Sequence, residues 1–206
     1  MMTFADFEAF LKASFPDVTE GTMERFRLME EGYREWNAKI NVISRKDIDS
    51  LYDHHVLHSL AIAEYLRSQR PETYSLFTAP LPSFTAPLPE DSIDAKASRV
   101  GLRVLDLGTG GGFPGIPLAV MFPNVRFILC DSVGKKTIVA KEIADMLGLD
   151  NVEIVNARAE SLPGRFDFVV SRAVASLTDF YPWVKGKYSQ SILYLKGGDI
   201  NEEICA

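Results

Sequence analysis

Arg103-Val104-Leu105-Asp106-Leu107-Gly108-Thr109-Gly110-Gly111-Gly112-Phe113-Pro114-Gly115-Ile116-Pro117-Leu118-Ala119 decides the fold class of this chain. Val104, Leu105 and Leu107 form the short apolar run of a buried parallel strand, and Ile116, Leu118, Ala119 and Val120 begin the helical face that packs on it. The glycines between them let backbone N–H groups approach a ligand with no side chain in the way. Pro114 and Pro117 suit a loop and a first helical turn, where N–H groups have no intrahelical partner. Strand, glycine-dense loop and helix together make a nucleotide-binding corner.

Two patterns overlap in the loop. Gly110-x-Gly112-x-x-Gly115 satisfies the dinucleotide fingerprint, and Asp131 follows at the distance expected of a ribose-binding acid. The frame Asp106-x-Gly108-x-Gly110-x-Gly112, with an acid at the strand end, resembles the first motif of S-adenosylmethionine-dependent methyltransferases. The second pattern takes precedence over nicotinamide binding.

Around the corner, α/β alternation continues. Val125–Cys130 reads as a strand ending at Asp131, 135–147 as a helix closed by Gly148, and 152–155, 166–170 and 192–195 as three further strands. A helix over 176–187 lies between the last two, with Pro182 disturbing its course. This order implies a mostly parallel sheet with helices on both faces, spanning 100–206. Ahead of it, residues 1–67 read as a helical extension packing on the core. Phe4, Phe7, Leu11 and Phe15 trace one helix stopped by Pro16; Met23, Phe26, Tyr33, Trp36 and Ile40 trace a second; a third runs from about Asp47 to Arg67. Between extension and core, 68–99 reads as a proline-rich linker carrying a tandem repeat, Phe77-Thr78-Ala79-Pro80-Leu81-Pro82-Ser83 and Phe84-Thr85-Ala86-Pro87-Leu88-Pro89.

Composition narrows the partners. With 28 acidic against 22 basic residues the net charge is −6, which argues against a protein that coats nucleic acid through many phosphate contacts. The acidity is concentrated in the first 60 residues, so the corner itself can keep a basic rim. No segment has the apolar length of a membrane span, and the amino terminus lacks signal-peptide character; the expectation is a cytoplasmic protein without membrane association. Cys130 and Cys205 read as reduced thiols, not as a disulfide frame. His54, His55 and His58 fall on neighbouring helical positions, but no cysteine or carboxylate set completes a metal site, so none is assigned.

Ligands of open parallel sheets bind beyond the carboxyl ends of the strands. There the loop of Gly108 and Gly110 would wrap the methionine end of the cofactor and Asp131 would accept two hydrogen bonds from ribose hydroxyls. Ala159-Glu160, past the third strand, would flank the adenine, and Arg172, after the fourth, points to the same cleft.

Several motifs together resemble the glucose-inhibited division protein B family, the ribosomal small subunit methyltransferase G group. They are Asn41-Val42-Ile43-Ser44, His54-His55-Val56-Leu57-His58-Ser59, Gly112-Phe113-Pro114-Gly115-Ile116-Pro117, Asp131-Ser132 with Lys135-Lys136, Ser171-Arg172-Ala173 and Leu195-Lys196-Gly197-Gly198. The resemblance implies a Rossmann-like class I methyltransferase that uses S-adenosyl-L-methionine to methylate N7 of a guanine in 16S ribosomal RNA, free or in the small ribosomal subunit, with no obligate protein partner evident. By the same resemblance Gly108, Phe113, Ala159, Glu160 and Arg172 match cofactor contacts, and Lys135, Lys136 and Lys196 match basic positions suited to RNA phosphates. Asn41 and His55 match family positions without an assigned chemical role, and no catalytic residue is named. Methyltransferases of this class add an antiparallel strand pair after the fifth strand, for which 197–206 is too short. The alternative is therefore a noncatalytic relative that retains cofactor or RNA binding.

Overall fold

A computed structural model describes residues 1–80, 101–198 and Glu203. The second copy of the proline-containing repeat and Cys205 lie outside the described residues.

Two N-terminal helices start on threonine caps. In α1 (Phe4–Ser14) the Thr3 hydroxyl accepts from Asp6 N–H while the Asp6 carboxylate accepts from Thr3 N–H, a reciprocal capping box. In α2 (Glu20–Lys39) Thr19 accepts from Thr22 N–H. Phe7 and Leu11 of α1 and Met23, Phe26, Met29 and Tyr33 of α2 are buried, as helical spacing dictates.

The third helix differs from its sequence reading. Instead of one run from Asp47, the chain makes a short 3₁₀ turn (Ile48–Ser50), a π-helical turn (Leu51–Leu57) and then α3 (His58–Gln69). The wide π turn lets the consecutive residues His54 and His55 both reach the Asp47 carboxylate, at 2.6 and 2.7 Å. Beyond it, inside the 68–99 stretch whose composition predicts a linker, Pro71–Thr78 form α4. Pro71 stands in its first turn, where a missing N–H costs nothing. Phe77 packs edge-on against Phe122, both ring centroids 5.1 Å apart, and tilted on Phe168 at the same separation. The repeat's first phenylalanine is thus a core residue.

The core is a five-stranded parallel sheet: β1 (Arg103–Leu107), β2 (Arg126–Asp131), β3 (Val152–Asn156), β4 (Phe166–Arg172) and β5 (Tyr188–Leu195), in spatial order β3-β2-β1-β4-β5. Helices α5 (Gly115–Met121), α6 (Gly134–Met146) and α7 (Leu177–Val184) make three of the four connections, and β3 runs to β4 through a 3₁₀ turn (Ala159–Ser161). The strand alternation separates two layers. Val104, Phe127, Leu129, Phe168 and Val170 join the core shared with α5, α6 and the N-terminal helices. Leu105, Leu107, Ile128, Cys130 and Val169 pack instead with Phe180 and Val184 of α7. The α2–α6 contact is close at Gly32, where a Cβ would stand 2.5 Å from Met146 Cε.

From β1 the chain steps outward through β2 to β3, then returns to the other side of β1 with β4. The order reverses between β1 and β4, and that switch opens a crevice at the strands' carboxyl ends. The fold is the Rossmann-like arrangement the sequence implied; beyond β5 the described residues are 196–198 and Glu203.

Candidate functional site

The glycine loop leaving β1 is held from both sides. Gly108 N–H and Thr109 N–H donate to the Cys130 carbonyl at 2.8 and 3.1 Å, tying the loop to the end of β2. Gly108 has φ +73°, and a Cβ there would meet Val174 Cγ2 at 2.4 Å, so both conformation and space require glycine. Beneath the loop lies Asp106, fully buried. Its Oδ2 accepts from the Thr109 hydroxyl at 2.6 Å and from Gly115 N–H at 2.8 Å, while Oδ1 has no partner among the described residues. Burial pushes this carboxyl up to about 7, against the lowering effect of the two donors. The acid of the strand-end motif therefore organises the loop and does not line the cleft.

The cleft above the loop has a volume of about 470 Å³, within the range of small-molecule sites. Gly108 and Gly110 form its floor. Asp131, at the end of β2, accepts from Gly110 N–H on Oδ2 and from Val133 N–H on Oδ1, both at 2.8 Å. Each oxygen retains a lone pair for an incoming hydroxyl. At the end of β4, Arg172 lays its guanidinium 5.1 Å from the Phe113 ring centroid. It donates to the His54 carbonyl at 3.1 Å and to His55 Nδ1 at 2.9 Å. Burial lowers the Arg172 pKa, but a guanidinium keeps its charge. The next residue, Ala173, takes φ +50°, a left-handed turn that carries the chain off β4 at the cleft wall.

The other sequence-derived residues separate into groups. Phe113 is buried and stacked on Tyr33, ring centroids 4.7 Å apart, and is among the residues lining the cleft. Ala159 lines the cleft from a 3₁₀ turn (Ala159–Ser161); Glu160 beside it is exposed and outside the lining. Lys136 is on the rim, and Lys135 is exposed next to it at the start of α6. Lys196 is half-buried, donating to the Ala175 carbonyl and pairing with Glu203.

The sequence gives the N-terminal extension a family motif at Asn41-Val42-Ile43-Ser44 but no place in the cleft. Val42 lines the cleft, and a Cβ on Gly111 would come within 2.8 Å of it. Asn37 Oδ1 shapes that segment by accepting from Val42 and Ile43 N–H at 2.8 and 2.9 Å. Trp183 of α7 closes another side. Periodicity marks such residues as core or surface, and only the tertiary fold brings them to the loop.

Comparison with known proteins decides the family. The family described as rRNA small subunit methyltransferase G matches residues 91–206. This chain belongs to the rRNA small subunit methyltransferase G family. Its similarity to full members extends through the N-terminal helices. The protein named "Ribosomal RNA small subunit methyltransferase G" of Christiangramia forsetii is 45% identical over 202 residues, covering 94% of this chain and 82% of the relative. The protein of the same name from Flavobacterium psychrophilum is 46% identical over 198 residues, covering 92% and 80%. That from Bacteroides fragilis is 44% identical over 197 residues, covering 92% and 81%. The methyltransferase G family thus covers both parts of the cleft wall, the glycine loop and the N-terminal segment at Val42.

Proposed function

We propose that this chain transfers a methyl group from S-adenosyl-L-methionine to N7 of a guanine in 16S ribosomal RNA. Membership of the methyltransferase G family supports the reaction, and one arrangement carries the reading of the site: Asp131 and Arg172 leave the two strands that flank β1, on either side of the glycine loop. Two strand spacings separate them, roughly 10 Å. That spacing suits a ligand with ribose hydroxyls at one end and an amino-acid carboxylate at the other.

The residues fit this cofactor. Asp131 has lone pairs free for the ribose hydroxyls, and Arg172 keeps guanidinium donors beyond the two engaged by His54 and His55 for the carboxylate. Gly108 and Gly110 expose backbone, and Ala159 leaves room for the adenine. When bound, S-adenosylmethionine supplies an electrophilic methyl group on a sulfonium. Guanine N7 carries an in-plane lone pair, so no side chain has to remove a proton before attack. The chain's task is alignment, part of the ~7–11 kcal/mol that effective molarity can supply. Lys135, Lys136 and Lys196 are assigned to RNA phosphates on the same reading. The target base has to be single-stranded or splayed out, because the major groove of an RNA duplex is too narrow. No helix of the described residues is long and apolar enough to cross a membrane, and the proposed compartment is the cytoplasm.

Methyl transfer from labelled cofactor to undermodified small ribosomal subunits, with the modified base mapped, tests the proposal. A single labelled guanine is expected. Binding of S-adenosylmethionine without transfer would favour the noncatalytic alternative, and binding of nicotinamide dinucleotides in its place would overturn both.

A further inference from the structure

We propose that His55 is a positioning residue that holds the Arg172 guanidinium against the cleft, as the central link of a hydrogen-bonded chain Asp47–His55–Arg172. The inference rests on the reading of the cleft as a site for S-adenosylmethionine, with Arg172 as one of its contacts.

The geometry fixes the tautomer. His55 Nδ1 lies 2.9 Å from Arg172 Nη2, and His55 Nε2 lies 2.7 Å from Asp47 Oδ2. A guanidinium has donors only, so Nδ1 must accept. The ring proton is then on Nε2 and is donated to the Asp47 carboxylate. Asp47 is itself fixed: its other oxygen meets His54 Nδ1 at 2.6 Å and its N–H donates to the Ser44 carbonyl at 2.8 Å. The His55 ring also packs on Phe113, centroids 5.3 Å apart, which is the ring that Arg172 covers. Three separate segments, the Asp47 turn, the π turn and the end of β4, thereby converge on one orientation of the arginine.

Protonating His55 would place an N–H on Nδ1 facing an N–H of Arg172, with two positive charges together. The surroundings oppose that state: burial and Arg172 lower the His55 pKa, His54 adds to the lowering, and Asp47 works against it. Arg172 in turn faces Asp106, Tyr33 and Asp47, and on α3 desolvation, with the Arg172 charge second, lowers the pKa of His58. His55 is therefore neutral near pH 7, and Arg172 is held. Acidification releases it.

Two measurements on the full chain test this. In the ligand-free protein, 15N spectra of the histidine rings and arginine side chains are expected to show His55 as the Nε2–H tautomer, with the Arg172 resonances shifting as His55 titrates. In calorimetry with S-adenosylhomocysteine as probe, affinity in the parent protein is expected to fall about tenfold as acidification protonates His55, whose resonances locate that titration in the same spectra. His55→Ala is expected to be weak at every pH. His55→Asn, which keeps an acceptor near the Nδ1 position but cannot titrate, is expected to restore much of the neutral-pH affinity without the acid loss. His58→Gln, a control for the neighbouring histidine, is expected to keep the parent profile. An Nδ1–H tautomer, Arg172 resonances indifferent to His55, or a His55→Ala profile matching the parent would overturn the positioning role alone. A parent protein that binds no probe at any pH would overturn the reading of the cleft and the role together, while the spectra would still report the hydrogen bond.

Discussion

The hydroxyl of Tyr33, on the second helix, donates to the carbonyl of Gly111 in the glycine loop at 2.9 Å, across 78 residues of sequence. Tyr33 is fully buried, its ring stacks on Phe113, and burial raises its pKa far enough that it stays a donor. The N-terminal helices are therefore structural parts of the cleft. Tyr33→Phe removes the donor and leaves a buried carbonyl unpaired, at a cost of about 1–3 kcal/mol. Urea denaturation should show that loss, and calorimetry should show weaker S-adenosylmethionine binding. An unchanged affinity would mean that the loop keeps its shape without the brace.

Glycines of the loop are expected to differ in what they tolerate. Gly115 donates to Asp106, and a Cβ there would stand 2.6 Å from Asp106 Oδ2 and 2.7 Å from Leu129 Cγ. Gly110 has φ +58° but nothing within 4 Å of its would-be Cβ. Gly110→Ala should cost only the left-handed backbone penalty, about 1–2 kcal/mol. Gly115→Ala must displace a buried carboxylate and a core leucine, so its denaturation midpoint should fall clearly below that of Gly110→Ala. The reverse ranking would contradict the role given to Asp106.

The parallel sheet is legible in the sequence, because the short apolar runs at 104–107, 125–130 and 166–170 report buried strands, and glycines after the first report close backbone approach. Asp131 and Arg172 stand out as candidates for that reason, at or just beyond the ends of those runs. The Asp47–His55 link does not, since a π turn changes which residues share a face and leaves no signature in a 3.6-residue period. Phe77 is illegible as core for a different reason: it begins a repeat rich in proline, and local composition hides a single anchor whose partners, Phe122 and Phe168, are distant in sequence. Tyr33 was recognised as core without any sign that its hydroxyl reaches the loop.

The burial of Phe77 has a measurable energetic consequence. It is 1% exposed and is the buried residue of α4, wedged between Phe122 and Phe168. Truncating such an aromatic removes transfer energy and leaves a cavity, so Phe77→Ala should destabilise the protein by about 3–5 kcal/mol. Chemical denaturation would measure it. A cost below about 1 kcal/mol would return this segment to the linker.

Asp106 should make stability depend on pH in an unusual direction for a carboxylate. Its folded pKa, raised by burial to about 7, lies above the ordinary value of 3.8. The folded state thus binds the proton more tightly than the unfolded state. The contribution is fully present below 3.8 and is lost as pH rises through about 7. Thermal melts of the parent protein and Asp106→Asn should show the parent losing stability relative to the variant over that window. Parallel profiles would place the Asp106 pKa at its ordinary value.

Lys135 separates RNA binding from cofactor binding. It is exposed, one residue before the rim residue Lys136, at the start of a helix whose N-terminal end carries no acid in its first turn. If Lys135 meets an RNA phosphate, its removal subtracts one released counterion from association. Lys135→Ala should then raise the KM for small ribosomal subunits and reduce the slope of log affinity against log salt by about one. Calorimetric affinity for S-adenosylhomocysteine should stay at the parent value, because Lys135 is outside the cleft lining. An unchanged salt slope would identify this lysine as solvated surface, leaving Lys136 and Lys196 to carry the proposed phosphate contacts. A loss of cofactor affinity would instead mean that its charge acts through the cleft.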